Sequence, residues 1–350
     1  MCRIDLHDGA CHLLKKINAR GGIGKTMSIK LKFACGLYDR MLPLYTGEVQ
    51  PEGIDLDFVT SESPRALFDR MSGPDPFDVA EMSGSEFVAR FDAGKCPFVA
   101  LPVFPSRLFR HGFVTVNRKA GIRTPKDLEG KRVGTQIYTQ TASVWVRGML
   151  THEYGVDLST IQWLQGDLDK PGAHSDSDMM PLLKPVQMAE NHSGKPLAQL
   201  LEEGELDALV TPRLPKSFGT HPDIERLFPD FHAVELDYYR RTKIFPIMHL
   251  IVIRRDIYDA HPFVAESLYQ AFDAAKDAAV ARMRSRSGTL PYMLPWMKAD
   301  VEELVREFGE DPWPYGVEVN RPTLEAFIAY LVEQDMIAQT IPIESLFVTQ

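Results

Sequence analysis

Two stretches decide how this chain folds: RHGFVTVNR, Arg110 to Arg118, and MHLIVIRRD, Met248 to Asp256. Each puts a histidine, His111 or His249, just ahead of a β-branched, strand-forming run that ends in charged residues. Roughly 130 residues of strand and helix pattern lie between them. A chain that leaves one lobe along a strand, builds a second lobe and returns along a matching strand makes a two-lobed α/β clamshell with two hinge strands. Ligand is then expected in the cleft, with both histidines close by. On this reading residues 27–113 and 250–350 form a first, discontinuous lobe and residues 114–249 the second.

The flanking patterns give both lobes strand–helix alternation, as a parallel sheet covered by helices requires. IKLKFAC, IDLDFVT and FDVAEMS read as strands, the last one buried. Ser63 and Pro64 suit the start of a helix through Met71, and Ser83 with Glu86 has the spacing of a capping box for SEFVARF. Further on, Thr124, Pro125 and Asp127 open a short helix that Gly130 stops, KRVGTQ is a strand, and TASVWVRGMLTHEYG is an amphipathic helix. LAQLLEEGELDALVTPR reads as helix, turn and strand, with Thr211 and Arg213 past the strand's carboxyl end, where open α/β sheets bind ligands. Two helices, about Pro262 to Met283 and Thr323 to Gln334, follow the return crossing.

A length of 350 residues exceeds what one core usually carries, which agrees with two lobes. The net charge of -9 offers no long-range attraction to phosphate backbones or anionic lipid, so neither nucleic acid nor membrane is expected as a partner. Cys2, Cys11, Cys35 and Cys96 lack C-x-x-C or framework spacing, which fits reduced thiols and a cytoplasmic location. Residues 1–26 carry five Lys or Arg against two Asp and are read as a disordered extension or an overcalled start. Their GGIGKT ending is not a phosphate loop, because Ala19 stands where the first glycine is needed and a strand follows instead of a helix.

Taken in order, ACGLYDR, FDVAEMSGSEFV, FPSRLFRHGFVTVN, TPKDLEGKRVG, DALVTPR and FPIMHLIVIRRDIY resemble the 4,5-dihydroxyphthalate decarboxylase family from about Met27 to the C-terminus. The resemblance implies the type II periplasmic-binding-protein fold and a carboxy-lyase of phthalate catabolism, and with neither a Gly-rich dinucleotide loop nor a lysine in a pyridoxal setting a cofactor-free decarboxylase is the simplest reading. Its substrate is a small aromatic dicarboxylate, which loses one carboxylate as CO2 to leave protocatechuate. Such chemistry needs a base at the catechol edge, an acid over the ring face and cations for the carboxylates.

His111 and His249 are the natural acid and base, since imidazole titrates near neutrality, although either could merely cap a strand. Asp39 could take a catechol hydroxyl or simply pair with Arg40; with Tyr38 and Arg40 it follows the first strand into the cleft. Arg107, Arg110 and Arg213 are candidate carboxylate clamps through bidentate guanidinium contacts. Thr139, Gln140 and Thr141 precede the SVWVRGML helix, and Ser85 stands at the corresponding helix start in the first lobe, so both termini could seat an anion. No HxxxE or HxH spacing suited to a helix or strand site marks a metal centre, leaving only His111 and His249 with a carboxylate such as Asp39 or Glu81 as an alternative ligand set. The competing function is a solute-binding or ligand-sensing protein of the same fold; the lack of a signal-peptide pattern favours the enzyme. Self-association is left open.

Overall fold

A computed structural model describes residues 28–171, 182–285 and 289–348; the extension read at residues 1–26 lies outside them. Eleven strands appear among these residues: β1 (Ile29–Cys35), β2 (Ile54–Thr60), β3 (Val79–Ser83), β4 (Phe98–Arg107), β5 (Val114–Asn117), β6 (Arg132–Thr135), β7 (Gln162–Gln165), β8 (Met188–Glu190), β9 (Ala208–Val210), β10 (Ile224–Arg226) and β11 (Ile247–Arg254). They form two sheets, ordered β2-β1-β3-β11-β4 and β10-β5-β9-β6-β7-β8. The fold is the expected two-lobed α/β arrangement.

In the first sheet β1, β2 and β3 run parallel, and β11 enters antiparallel between β3 and β4. β3 therefore has a neighbour on each side and every one of its side chains is buried, which explains its continuous apolar character. In the second sheet β6 is parallel to both β7 and β9, so their carboxyl ends open on one side.

The chain leaves the first sheet after Arg107 and rejoins it at Ile247, and those two residues are register partners. The crossing pair is thus β4 with β11. The two histidine-led strands expected as matching hinge strands are not a pair: β5 pairs with β9 and β10 in the second sheet, and β11 with β3 and β4 in the first. His249 is the third residue inside its strand, whereas His111 opens a short 3-10 turn, His111–Phe113.

Seven helices position the site and its surroundings: α1 (Pro64–Met71), α2 (Gly84–Asp92), α3 (Thr141–Tyr154), α4 (Phe231–Thr242), α5 (Phe263–Met283), α6 (Met297–Phe308) and α7 (Arg321–Glu333). Ser63 caps α1 by accepting from the Ala66 N–H at 3.4 Å, as its sequence position suggests. The capping box expected at Ser83 and Glu86 is not made. Ser83 turns its hydroxyl towards α3, and Glu86 is taken by Ser72, Arg65 and Arg90. Helices α4 and α6 were not read from the sequence.

Helix α3 is the element that ties the molecule together. Residues Thr141 through Leu150 are all buried. Trp145 joins the core of the first sheet, stacking on Phe327 of α7 at 5.2 Å and donating its indole N–H to the Ile247 carbonyl at 2.8 Å. Val146, Met149 and Leu150 join the core of the second sheet. Gly148 lets α7 approach closely, for a Cβ there would lie 2.1 Å from the Tyr330 ring.

Candidate active site

The buried strand β3 carries one charge, Glu81, which is fully excluded from solvent. A carboxylate there must be paired, and its partners converge from three segments. His249 Nδ1, from β11, lies 2.6 Å from Oε1; the Tyr38 hydroxyl donates to the same oxygen at 2.8 Å; and Oε2 accepts the Gly36 N–H at 3.0 Å. The Cys35 thiol lies 3.3 Å from Oε2. Burial acts to raise the Glu81 pKa, but the facing His249 charge and these hydrogen bonds outweigh it and hold the carboxyl at about 2. The same surroundings push Tyr38 and Cys35 up, chiefly through burial and then through the Glu81 charge.

Because Glu81 remains a carboxylate, the Nδ1 of His249 supplies the hydrogen of their bond. The Nε2 atom has no hydrogen-bond partner among the described residues and belongs to a ring that lines a cavity of about 680 Å³. Phe68 of α1 fixes the ring edge-on at a centroid distance of 5.0 Å.

Register brings the start of a helix beside this histidine. His249 pairs with Ser83, the residue at which β3 passes into α2. The start of α2 then meets the start of α3: Thr141 Oγ1 is 2.9 Å from Ser83 Oγ, 3.0 Å from Ser85 Oγ and 3.0 Å from the Ser85 N–H. Ser85 also donates its hydroxyl to the Thr139 carbonyl at 2.8 Å. Two helix amino termini therefore meet at one wall of the cavity, where helix dipoles favour negative charge.

Arg110 supplies a buried cation there. Its Nε donates to the Met248 sulfur at 3.2 Å and its Nη1 to the Pro212 carbonyl at 3.0 Å, while Nη2 has no partner among the described residues. Burial lowers its pKa to about 10 against the pull of Glu235, so it stays charged near neutrality. Arg65, Lys170, Arg213 and Lys216 also line the cavity. Arg213, about half exposed, is engaged by Asp169.

Of the residues selected from sequence, Tyr38, Ser85, Arg110, Thr139, Gln140, Thr141, Arg213 and His249 line this cavity, and His111, Asp39, Arg40 and Arg107 do not. His111 is enclosed by the edges of Tyr154, Phe228 and Tyr238. Arg107 is buried and donates to the Pro314 carbonyl at 2.8 Å and to Asn320, so it braces the loop before α7. Asp39 pairs with Arg40 at 3.0 Å, and the Arg40 Nε donates to the Pro105 carbonyl at 2.8 Å. The alternative metal set is not assembled, and no group of three or more His, Cys, Asp or Glu among the described residues is placed to hold an ion. Glu81 as the partner of His249 was missed, though a lone acid within a strand read as buried is a legible signal.

No family model matches the chain. A 4,5-dihydroxyphthalate decarboxylase of Comamonas testosteroni is 37% identical over 302 residues, covering 86% of this chain and 91% of that protein. A 4,5-dihydroxyphthalate decarboxylase of Pseudomonas putida is 35% identical over 213 residues, covering 61% of this chain and 82% of that one. Among solved structures, the periplasmic sulfonate-binding protein SsuA of Methylobacillus flagellatus matches with a TM-score of 0.51 at 11% identity, over 92% of each chain, which shows the fold alone. With motifs, fold and these relatives in agreement, the chain belongs to the 4,5-dihydroxyphthalate decarboxylase family.

Proposed function

We propose that the protein removes one carboxylate from 4,5-dihydroxyphthalate in the cavity around His249, releasing CO2 and protocatechuate. The observation that carries the reading is the buried Glu81–His249 pair, whose imidazole lines a cavity together with Arg110 and two helix amino termini. With the substrate carboxylates at Arg110 and the α2 and α3 termini, the carbon bearing the leaving group comes beside His249. That assigns His249 as the acid.

Its Nε2 proton forms the new C–H bond, with the para hydroxyl pushing electron density to that carbon. The C–C bond then breaks, CO2 departs, and the bonding pair returns to the ring to restore aromaticity. Neutral His249 regains a proton from solvent, so one proton is consumed for each CO2 released. Glu81 keeps the ring oriented through Nδ1, and Tyr38 and Gly36 keep Glu81 in place. A reducing cytoplasmic setting suits the protein, since Cys35 and Cys96 are free thiols.

Incubation with 4,5-dihydroxyphthalate in D2O should yield CO2 and protocatechuate carrying one ring deuterium, read by mass spectrometry. His249→Ala should lower kcat by about 100-fold or more while calorimetry with phthalate shows binding retained. Near-normal turnover in that variant excludes the assignment. Binding of phthalate without any turnover by the intact protein would instead support a solute-binding role.

A further inference from the structure

A second cavity, of about 360 Å³, lies where the chain crosses between the sheets. Phe109 on the outgoing crossing stacks on Phe245 on the returning one, with centroids 4.7 Å apart and planes 18° from parallel. Tyr239 of α4 stacks on Phe308 of α6 at 4.3 Å and 21°. Trp313 and α5, through Val280 and Met283, complete the walls. The volume is enough for a small ring compound.

The charged groups at the wall are already engaged. Arg40 is held by Asp39 and Pro105, Lys276 by Asp273, Asp277 and Asp311, His232 by Glu303, and Glu235 accepts the Gly112 N–H. An anionic ligand would meet no free cation and a cationic one only the Glu235 carboxylate, already held by a backbone N–H, whereas ring faces and edges offer stacking to an aromatic one. We propose that this cavity binds a small uncharged aromatic molecule and that its occupancy is linked to the cleft.

Two observations support the link. The Arg40 guanidinium lies between the two sites, 4.2 Å from the Trp313 ring centroid and 4.4 Å from that of Tyr38, which holds Glu81 and through it His249. The cavity also touches both crossings, so an occupant bridging α4 to α5 and α6 would bias the angle between the sheets.

The test uses the full chain and indole. Calorimetry should show one indole site that weakens on the order of tenfold or more in Val280→Trp and Met283→Trp, each of which fills the cavity. Undiminished indole binding in both variants, with folding verified by circular dichroism, would overturn the site. Benzoate or trimethylphenylammonium binding there as tightly as indole would overturn the uncharged class. Indole should also shift the His249 ring resonances, assigned by their loss in His249→Asn, in the wild type and not in the filled variants. Resonances that stay fixed while indole binds would remove the link, and this readout needs no cleft ligand.

Discussion

His111 and His249 sit in similar local sequences, yet their surroundings give them opposite physics. His249 has a carboxylate on one nitrogen and a cavity beside the other. His111 is 1% exposed, neither ring nitrogen has a hydrogen-bond partner, and burial, with a smaller push from Arg241, drops its pKa to about 4. The unfolded imidazole takes up a proton near pH 6.5, which the folded one refuses until about 4, so stability falls as pH drops through that window by on the order of 3 kcal/mol. His111→Phe should flatten this acid limb in urea unfolding measured at pH 7 and pH 5, and leave kcat nearly unchanged. Among the arginines, Arg110 is the better candidate for a carboxylate contact. Arg110→Lys should weaken phthalate binding by roughly tenfold or more, because a single ammonium nitrogen lacks the planar fork that reaches Met248 and Pro212 from separate nitrogens while presenting another to a carboxylate. Arg213→Lys should cost less, since Asp169 already engages that side chain at the rim. Calorimetric titration of both variants decides the ranking. Arginine side chains alone do not announce which of them will be buried, and so the three were indistinguishable in sequence.

At the scale of elements, the strands were legible because alternation and β-branching are local properties. β1 and β2 have the bounds read from IKLKFAC and IDLDFVT. The capping box failed for a non-local reason: Thr141, 58 positions away, competes for the Ser83 hydroxyl. Helix α3 shows the same limit. GML inside a helical pattern gives no hint that Gly148 is required, yet its missing side chain is what lets Tyr330 of α7 pack against the helix backbone. Gly148→Ala, favourable by helix propensity, should instead destabilise the protein by about 1–3 kcal/mol through overpacking, seen as a lower urea midpoint. An unchanged or higher midpoint would mean that Tyr330 can move away at little cost. Helices α4 and α6 escaped notice because their apolar faces are narrow and rich in charge, and both owe their place to aromatic contacts with distant crossings.

Across the whole molecule, α3 has one face in each core, so the two sheets share an apolar interface as well as two chain crossings. Such an interface couples lobes that would otherwise unfold separately. The wild type is expected to show one calorimetric transition, and Trp145→Ala, which costs about 3–5 kcal/mol and removes the anchor in the first core, should resolve it into two. A single transition in both proteins would indicate that the crossings alone carry the coupling. The same interface bears on binding. With a net charge of -9, the proposed capture of a dicarboxylate cannot depend on the overall field, and would rest on Arg110 and on the α2 and α3 amino termini that this contact holds together.

The sequence by itself determined the two-lobed α/β plan, most strand positions, the family and the general chemistry, since periodicity, turn residues and motif order are written locally along the chain. Only the tertiary structure decided which histidine meets the cleft, which arginine is buried beside it, and that Glu81 is the partner of His249. Those outcomes depend on strand register and on burial, and both arise from contacts between residues far apart in the chain: Glu81 and His249 are brought within 2.6 Å across 168 positions because β11 enters the sheet next to β3.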